Sequence, residues 1–344
     1  MRAYVVTGPG QGEVQDVEPP VAGPGLVVVR VERVGLCGTD VEFWSGEMAY
    51  LHQGHATYPL RLGHEWCGTV MTAGSDGSDS STGAADLEWV GRRVTGDTML
   101  GCGHCSRCRS GRQHVCERRH EIGIRGGWPG ALAEQLLVPV TALHALPDTV
   151  DAVAGALVEP GANALRAVDA AGLAPGDTLL VMGSGTIGLL AAQFALARGA
   201  RVHVVGIDEA SLVLARELGV DGASTIDDRP SGRYAAVIDA TNDAAVPARA
   251  LDLVEPGGRL VLIGLSGTPS LLDTRALVLA DVTAVGILSG SAGLAGAIEH
   301  YADGRVTPHR LVAATVPLEA VGAVLAGWRP AGAGPGPKVH IDPS

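Results

Sequence analysis

Aromatic residues, lysine and long apolar runs are scarce in this sequence. Aromatics make up 3% of the 344 residues, so a core must be built mainly from alanine, valine and leucine. Lysine occurs once, as Lys338, although arginine is common. No apolar run reaches the roughly 18 residues that a membrane-spanning helix needs. Because the opening MRAYVVTGPG also lacks the charged-then-apolar layout of a secretion signal, we expect a soluble, cytoplasmic protein with no membrane partner.

Positive charge is scarce as well, since the formal net charge is −12 at pH 7. Binding to nucleic acid draws most of its affinity from neutralised phosphates, so this acidic chain is a poor candidate for a nucleic-acid protein, including a zinc-ribbon one. Hydrophobic residues make up 46% and charged residues 18%, which is typical of a globular protein. The length allows two domains.

Cysteine is rare, but four of the six cysteines crowd into GCGHCSRCRSGRQHVC, residues 101–116. They are Cys102, Cys105, Cys108 and Cys116. The spacing C-x2-C-x2-C-x7-C suits four thiolates around one tetrahedral Zn²⁺, a closed site that stabilises a lobe and performs no chemistry. Disulfides are disfavoured in the cytoplasm, and an iron–sulfur cluster is a further alternative. We expect the nearby arginines, Arg107, Arg109 and Arg112, to offset the thiolate charge.

The first 147 residues contain short apolar runs that are broken by glycine and proline, which indicates a β-rich, barrel-like domain. The polar stretch 75–86 is typical of a surface loop. From about residue 150, apolar strands such as TLLVMG (178–183) alternate with amphipathic helices such as TIGLLAAQFALAR (186–198). This βαβ series predicts an α/β domain with a parallel, doubly wound sheet.

A glycine motif opens the first helix of that series. Gly183, Gly185 and Gly188 form G-x-G-x-x-G between a strand and a helix, the context in which the motif binds a dinucleotide pyrophosphate. Asp208 ends the next strand, where a carboxylate accepts hydrogen bonds from the adenosine ribose and repels a 2′-phosphate. The motif therefore predicts NAD rather than NADP. A glycine-rich turn without a ligand and a solvated Asp208 are the structural alternatives.

A second metal site is indicated by Cys37 in GLCGTD, His64 and Glu65 in RLGHEW, and Glu159 in LVEPGA. Cysteine, histidine and carboxylate together suit a catalytic zinc, which keeps an open position for water or substrate. The spacing of these residues alone is weak evidence for a metal site. A single cysteine is usually a small core residue, and a His-Glu pair usually lies at the surface or in a satisfied core.

The order of these motifs, CGTD, GHE, the four-cysteine lobe, EP and GxGxxG, resembles the zinc-dependent medium-chain alcohol dehydrogenases over nearly the whole chain. That family combines a GroES-like β-barrel, built from both ends of the chain, with an inserted Rossmann domain. The resemblance implies a GroES-like catalytic domain over residues 1–147 and 291–344, a structural zinc lobe at about 95–120, and a Rossmann NAD-binding domain over 148–290.

The resemblance also implies roles for single residues. In the polyol and sugar branch of the family, the matches to Cys37, His64 and Glu65 hold the catalytic zinc, and the match to Glu159 is a direct or water-mediated ligand. Thr39 matches a hydroxyl that contacts the substrate oxygen and begins a proton relay. Many members place a histidine where this chain has Glu42. His52 and His55 are alternative relay groups, although a histidine in such a loop more often lies idle at the surface.

Cofactor contacts follow from the same resemblance. The cofactor cleft is expected outside the carboxyl ends of the Rossmann strands. Lys338, near the end of the chain, matches a basic residue that reaches the cofactor pyrophosphate in many relatives, although a solvated chain end is equally compatible. The remaining predicted cofactor-binding residues are Thr186, Ile187, Thr241, Gly264 and Leu288.

These features predict an oxidoreductase that holds two zinc ions per chain and transfers a hydride from a secondary alcohol of a polyol, sugar or aminocyclitol to NAD. Within the branch, YPLRLGHEWCGTV resembles the dehydrogenases that oxidise 2-deoxy-scyllo-inosamine in aminoglycoside biosynthesis. Glucose 1-dehydrogenase and threonine 3-dehydrogenase activities are alternatives, and a non-catalytic NAD(H)-sensing protein is an alternative of another class. The family also implies a homodimer or homotetramer, joined through VTAVGILSG (282–290).

Overall fold

The structure is a computed structural model that describes residues 1–74, 88–228, 230 and 232–344. The loop predicted at 75–86 lies outside these residues. The chain forms two compact units. The first unit comprises Met1–Glu159, Ala314–Gly334 and Lys338–Ser344, and the second unit comprises Pro160–Ala313 and Pro335–Pro337. No helix in the described part of the chain is long and apolar enough to cross a bilayer.

The first unit is built mainly from β-strands. They are β1 (Arg2–Gly8), β2 (Gln11–Asp16), β3 (Leu26–Gly35), β4 (Glu65–Ala73), β5 (Arg93–Gly96), β6 (Met99–Leu100), β7 (His120–Glu121), β8 (Gln135–Pro139) and β9 (Leu143–Ala145), followed near the end of the chain by β16 (Val312–Pro317) and β17 (Lys338–Asp342). The main sheet has seven strands in the order β16-β17-β3-β4-β5-β9, with β8 also paired to β3. Strands from the N-terminal and C-terminal parts of the chain thus pair in one sheet, while β1 and β2 form a separate two-stranded sheet.

Short helices connect these strands. They are α1 (Gly38–Ser45), α2 (Ala49–His52), α3 (Ser106–Arg109) and α4 (Ala152–Ala156), with 3-10 turns at Gln113–Val115, Val140–Ala142 and Leu318–Ala320. Helix α11 (Val321–Leu325) follows in the C-terminal part. The central strand β3 is valine-rich, and its buried valines, Val27, Val29, Val31 and Val34, anchor the core.

Strands β3 and β4 bring distant residues together. They run antiparallel with Gly35 opposite Glu65, so the chain leaves β3 just before Cys37 and enters β4 directly after His64. A Cβ atom at position 35 would overlap the Glu65 carboxylate, and only glycine permits this approach. The sheet register therefore places the two predicted zinc-ligand motifs side by side.

The second unit alternates helices and parallel strands. Its strands are β10 (Thr178–Met182), β11 (Arg201–Gly206), β12 (Gly222–Thr225), β13 (Tyr234–Asp239), β14 (Val254–Leu262) and β15 (Thr283–Gly286), in the sheet order β12-β11-β10-β13-β14-β15. Its helices are α5 (Val158–Ala171, which begins in the first unit), α6 (Thr186–Ala197), α7 (Glu209–Glu217), α8 (Val246–Asp252), α9 (Thr274–Leu279) and α10 (Leu294–Ala302), with a 3-10 turn at Pro308–Leu311. The predicted α/β class and doubly wound parallel sheet are confirmed.

The division of the chain differs from the predicted boundaries. Residues 291–313, predicted to belong with the barrel, lie in the second unit, and residues 148–159 lie in the first. Helix α10 explains the first difference, because it buries Leu294, Ala297, Ile298 and Tyr301. Of these, Tyr301 stacks on Phe194 of α6. An amphipathic pattern shows that a helix has a buried face but does not show which sheet or helix covers it.

Candidate zinc and dinucleotide sites

The four clustered cysteines converge on one point. Their sulfur atoms all lie within 4.8 Å of one another. Cys102 Sγ is 3.9 Å from Cys108 Sγ, and Cys105 Sγ is 3.8 Å from Cys116 Sγ. A tetrahedron with Zn–S bonds of about 2.3 Å has edges of about 3.8 Å, so these sulfurs already stand at the separation that zinc requires. The cluster thus has the donor set and geometry of a structural zinc site.

Local backbone donors favour thiolates in this lobe. A backbone hydrogen bond from the His104 amide is the largest influence that lowers the pKa of Cys102, to about 5. The Cys108 amide lowers the pKa of Cys105 and donates to its sulfur at 3.4 Å, whereas burial raises the pKa of Cys108 to about 11. Zinc binding requires the deprotonated form of each cysteine, and the lobe prepares two of them before any ion binds.

Of the three predicted arginines, Arg107 interacts electrostatically with Cys105 and Cys116, whereas the arginine that hydrogen-bonds a sulfur is a fourth one. Arg118 donates to Cys102 Sγ at 3.7 Å. Arg107 pairs with Glu117, Arg109 donates to the His104 carbonyl, and Arg112 donates to Ser110. Positive charge therefore lies near the thiolates, and Arg118 adds to it with a hydrogen bond that the spacing did not predict.

Cys37, His64 and Glu65 form the second cluster, with ligand atoms within 4.8 Å of one another. His64 and Glu65 are buried and Cys37 is partly buried. Glu65 Oε2 lies 2.7 Å from Lys338 Nζ, and His64 Nδ1 lies 3.6 Å from Asp40 Oδ1, so charged neighbours hold both ligand side chains in place. A sulfur, an imidazole and a carboxylate that converge in a buried place form a donor set that fits a bound zinc ion.

Asp40, which was not among the predicted site residues, positions this cluster. Its side chain is fully buried, accepts a hydrogen bond from the Cys37 amide at 2.9 Å and lies 3.6 Å from His64 Nδ1. Burial raises the pKa of the Asp40 carboxyl, but His64 and the amides of Cys37 and Gly63 lower it more. In turn Asp40 raises the pKa of His64 above its usual value in spite of burial. The sequence feature that could have indicated Asp40 is its place three residues after Cys37, where an acidic side chain often caps the start of a helix.

We expect Asp40→Asn to weaken zinc binding at the Cys37 cluster by about 10- to 100-fold, because carboxylates that orient histidine ligands contribute this much to metal affinity. Competition with a chelator of known affinity measures the change. Asp239→Asn is the matched control, since Asp239 is an equally buried aspartate of the second unit that hydrogen-bonds Thr241. Equal zinc affinity in the two variants would contradict the positioning role of Asp40.

Lys338 does not lie where the resemblance placed it. Its side chain is 3% exposed, and its Nζ donates to Glu65 Oε1 and to the Leu36 carbonyl, each at 2.8 Å, with Glu65 Oε2 at 2.7 Å. Burial lowers the pKa of Lys338, but Glu65 and Cys37 raise it, and the net shift is upward. An ammonium group enclosed in this way is not available to a cofactor pyrophosphate. Its partner is a candidate zinc ligand instead.

Of the other predicted catalytic residues, Thr39 and Glu42 lie on α1 and Glu159 lies on α5. Thr39 is partly buried in the first turn of α1, two residues after Cys37. Glu42 lies one turn further along, where burial and the charge of Glu47 raise its pKa. Glu159 opens α5, and among the described residues it is not part of the group whose ligand atoms meet within 4.8 Å. Its zinc contact remains a prediction.

Neither alternative relay histidine belongs to the metal cluster. His52 is exposed at the end of α2. His55 is partly buried with its ring edge-on to Tyr50, at a centroid separation of 5.4 Å. Neither ring is part of a metal-binding group in the described portion of the chain.

The glycine motif has the geometry of a phosphate loop. Gly183 follows β10, and Gly185 is the residue that precedes α6, which Thr186 and Ile187 begin. A side chain at Gly188 would overlap the Gly183 carbonyl, whereas a side chain at Gly185 would meet only open space. Gly188 therefore permits the tight packing of helix and strand, and Gly185 leaves the backbone open to a ligand at the helix N-terminus.

The remaining predicted cofactor residues follow successive strands at one edge of the parallel sheet, after β11, β13, β14 and β15 in chain order. They are Asp208, Thr241, Gly264 and Leu288. Asp208 also caps α7, since its Oδ1 accepts from the Ser211 amide at 2.8 Å. Thr241 donates its hydroxyl to buried Asp239 at 2.7 Å. The sheet thus gathers these residues where dinucleotides bind in doubly wound folds.

Comparison with known proteins agrees with this geometry. The family description "Alcohol dehydrogenase GroES-like domain" matches residues 23–148, and "Zinc-binding dehydrogenase" matches residues 186–303. The chain is 33% identical to L-threonine 3-dehydrogenase of Cutibacterium acnes over 305 residues, 83% of each chain. It is 34% identical to L-galactonate-5-dehydrogenase of Escherichia coli over 259 residues, 72% of this chain and 71% of that one.

A solved structure gives the same result for the fold. A protein described as a zinc-binding dehydrogenase from Sinorhizobium meliloti, bound to NADP, is similar with a TM-score of 0.86 and 29% identity, covering 99% of both chains. The chain therefore belongs to the zinc-dependent medium-chain alcohol dehydrogenase family. It is an NAD(P)-linked enzyme that acts on CH–OH donors, with one four-cysteine zinc site and one Cys37–His64–Glu65 site. The predicted enzyme class is confirmed.

Proposed function

We propose that the protein oxidises a secondary hydroxyl group of a polyol, sugar or aminocyclitol and passes the hydride to NAD. The observation that supports this most is the buried cluster of Cys37, His64 and Glu65. It offers three protein ligands of three chemical types, the pattern of a catalytic rather than a closed structural site. A zinc ion held there would act as a Lewis acid toward the substrate hydroxyl.

The protein residues would manage the proton of that hydroxyl. Oxidation removes a hydride from the carbon, which the nicotinamide accepts, and a proton from the oxygen. The Thr39 hydroxyl can accept a hydrogen bond from the substrate hydroxyl and pass the proton onward. Glu42 lies three residues after Thr39 on α1, and burial together with the charge of Glu47 raises its pKa. We assign it the relay role that a histidine fills in many relatives.

The raised pKa of Glu42 leads to a pH prediction. If its ionised form accepts the relayed proton, kcat falls on the acidic side at a higher pH than an ordinary glutamate would cause. Glu47→Gln removes the like charge that raises this pKa, so we expect the acidic limb to move to lower pH. We expect Glu42→Gln to lower kcat about 100-fold and to remove the limb. The same acidic limb in both variants and in the unmodified enzyme would exclude Glu42 as the relay.

Asp208 supports NAD as the preferred cofactor. We expect Asp208→Asn to raise the KM for NAD about tenfold, because a charge-assisted hydrogen bond to the ribose is lost. The same change should improve the use of NADP, because the charge that repels its 2′-phosphate is removed. Asparagine can still cap α7, so helix stability is preserved where alanine would also remove the cap. Steady-state kinetics with both cofactors measure the change. Glu209→Gln, at the exposed neighbouring residue, is the control. An unchanged ratio of kcat/KM for NAD to kcat/KM for NADP in Asp208→Asn would contradict the ribose role.

For the substrate we propose an amine-bearing cyclitol such as 2-deoxy-scyllo-inosamine, with threonine as the second candidate. The first rests on the resemblance of YPLRLGHEWCGTV and on acidic Glu42, which suits an amino group. The second is favoured by the identity to L-threonine 3-dehydrogenase. Both candidates carry an amine as well as a secondary alcohol.

The test is reduction of NAD by zinc-loaded enzyme with a panel of aminocyclitols, threonine, glucose, galactonate and linear polyols, followed by NADH absorbance. The Cys37→Ala variant serves as the blank. Activity confined to aminocyclitols supports the first candidate, and activity on threonine supports the second. Turnover of glucose or linear polyols alone would contradict the amine assignment, and turnover of none would contradict the proposed substrate class.

A further inference from the structure

The first unit contains a cavity that neither zinc site uses. Its volume is about 560 Å³, within the range of pockets that hold small molecules. All the residues that line it belong to the first unit, and they include neither the four clustered cysteines nor the Cys37–His64–Glu65 cluster. It is therefore a separate site on the same unit.

The cavity has an apolar wall and a small polar group. Val5, Val17 and Trp128 contribute to the apolar wall. Arg61, Thr57 and His55 contribute polar groups. Apolar side chains beside polar groups of this kind can orient a small organic ligand.

Arg61 is the unusual residue in this lining. Its Nε is fully buried and has no hydrogen-bond partner in the described part of the chain, which also supplies no ion pair for its guanidinium. Burial alone lowers the pKa of Arg61, to about 10. Several other partly buried arginines of this unit are ion-paired, as Arg33 is with Asp342 and Arg119 is with Glu121, and Arg125 lies over the Tyr50 ring. The Arg61 side chain as a whole is partly buried, but its buried Nε–H lacks an acceptor, and an anion in the cavity would supply one.

The backbone holds Arg61 in a fixed place. Val6 and Leu60 exchange two hydrogen bonds of 2.9 Å, and the Gly130 amide donates to the Arg61 carbonyl at 2.8 Å. The neighbouring side chains of Leu60 and Leu62 are buried in the core. The backbone of Arg61 is therefore anchored on both sides, which fixes the point from which its side chain reaches the cavity.

We propose that this cavity binds a small organic anion, whose carboxylate or phosphate group pairs with Arg61 and whose apolar body packs on Trp128 and the adjoining valines. A guanidinium recognises either group through two parallel hydrogen bonds. The apolar wall distinguishes such a ligand from a free inorganic ion.

Isothermal titration of the full-length, zinc-loaded protein tests this site with benzoate, phenyl phosphate and benzamide, the neutral isostere of benzoate. We expect saturable binding of benzoate, phenyl phosphate or both, and the stronger of the two identifies the anionic group. Benzamide should bind at least tenfold more weakly. Arg61→Met should weaken anion binding at least tenfold, whereas Arg92→Met, an exposed arginine of the same unit that lies over Trp89, should not change it.

Several results would overturn the proposal. Binding of benzamide as strong as that of benzoate would show that the charge is not recognised, and the absence of saturable anion binding would remove the site. Anion binding that survives Arg61→Met but disappears in Cys37→Ala would place the anion at the metal cluster. If Arg61→Met does not fold, as judged by circular dichroism, Arg61→Lys replaces it, and undiminished binding there would exclude bidentate recognition.

Discussion

Replacing Cys37 with alanine is expected to remove nearly all dehydrogenase activity and to lower the zinc content from two ions per chain to one. The variant keeps His64 and Glu65 but loses the only sulfur of the cluster. Lewis-acid stabilisation by a metal contributes several kcal/mol, so its loss lowers kcat/KM by about a thousandfold or more. Binding of NAD should persist, because the glycine motif and Asp208 belong to the second unit.

Cys67→Ala is the matched control for this experiment. Cys67 is also in the first unit and fully buried, but it is part of neither cysteine cluster in the described residues. We expect this variant to keep two zinc ions and activity within a few-fold of the unmodified enzyme. Metal analysis and NAD titration complete the comparison. A Cys37→Ala enzyme with two zinc ions and full turnover would show that the cluster is not the catalytic centre.

Local patterns in the sequence were sufficient to predict most strands of the second unit. TLLVMG and RVHVVGID correspond to β10 and β11, because strands buried on both faces of a parallel sheet form continuous apolar runs. The edge strand β12, with sequence GAST, was not predicted. Its residues are only partly buried and carry no apolar signal, so pairing with β11 rather than composition creates this strand.

Contacts between distant parts of the chain could not be predicted. The cysteine lobe was predicted correctly because its four ligands lie within 15 residues of sequence, from Cys102 to Cys116. Lys338 lies 273 residues from Glu65, and only the pairing of β17 with β3, which in turn pairs with β4, brings them together. A lysine near the end of a chain is typical of a solvated group or a phosphate ligand. The strand order of the sheet instead places Lys338 where it is a buried counter-ion.

The buried ion pair between Lys338 and Glu65 is expected to contribute strongly to the stability of the fold. We expect Lys338→Met to lower the free energy of unfolding by about 3–5 kcal/mol, because it leaves the Glu65 carboxylate buried without its counter-ion. Removing both charges, in Lys338→Met with Glu65→Gln, should restore much of that loss. Denaturant unfolding of zinc-free protein measures each variant without the contribution of bound metal.

The matched control is another ion pair between strands of the same sheet. Arg33 of β3 pairs with Asp342 of β17 at 2.6 Å, but their side chains are 27% and 34% exposed, whereas those of Lys338 and Glu65 are 3% and 1% exposed. Exposed pairs contribute about 0–1 kcal/mol, so Arg33→Met should cost much less than Lys338→Met. Equal losses would show that burial does not strengthen the Lys338–Glu65 pair.

Charge balance extends this argument to the zinc-bound state. With His64 neutral, a divalent ion and the Lys338 ammonium would face three negative groups: the Cys37 thiolate and the carboxylates of Asp40 and Glu65. Lys338→Met removes one positive charge, and the extra negative charge should then hold the metal ion more tightly while the protein fold is weakened. In Lys338→Met we therefore expect the zinc affinity to rise while the free energy of unfolding falls. A fall in both quantities would mean that Lys338 acts only by holding the strands together.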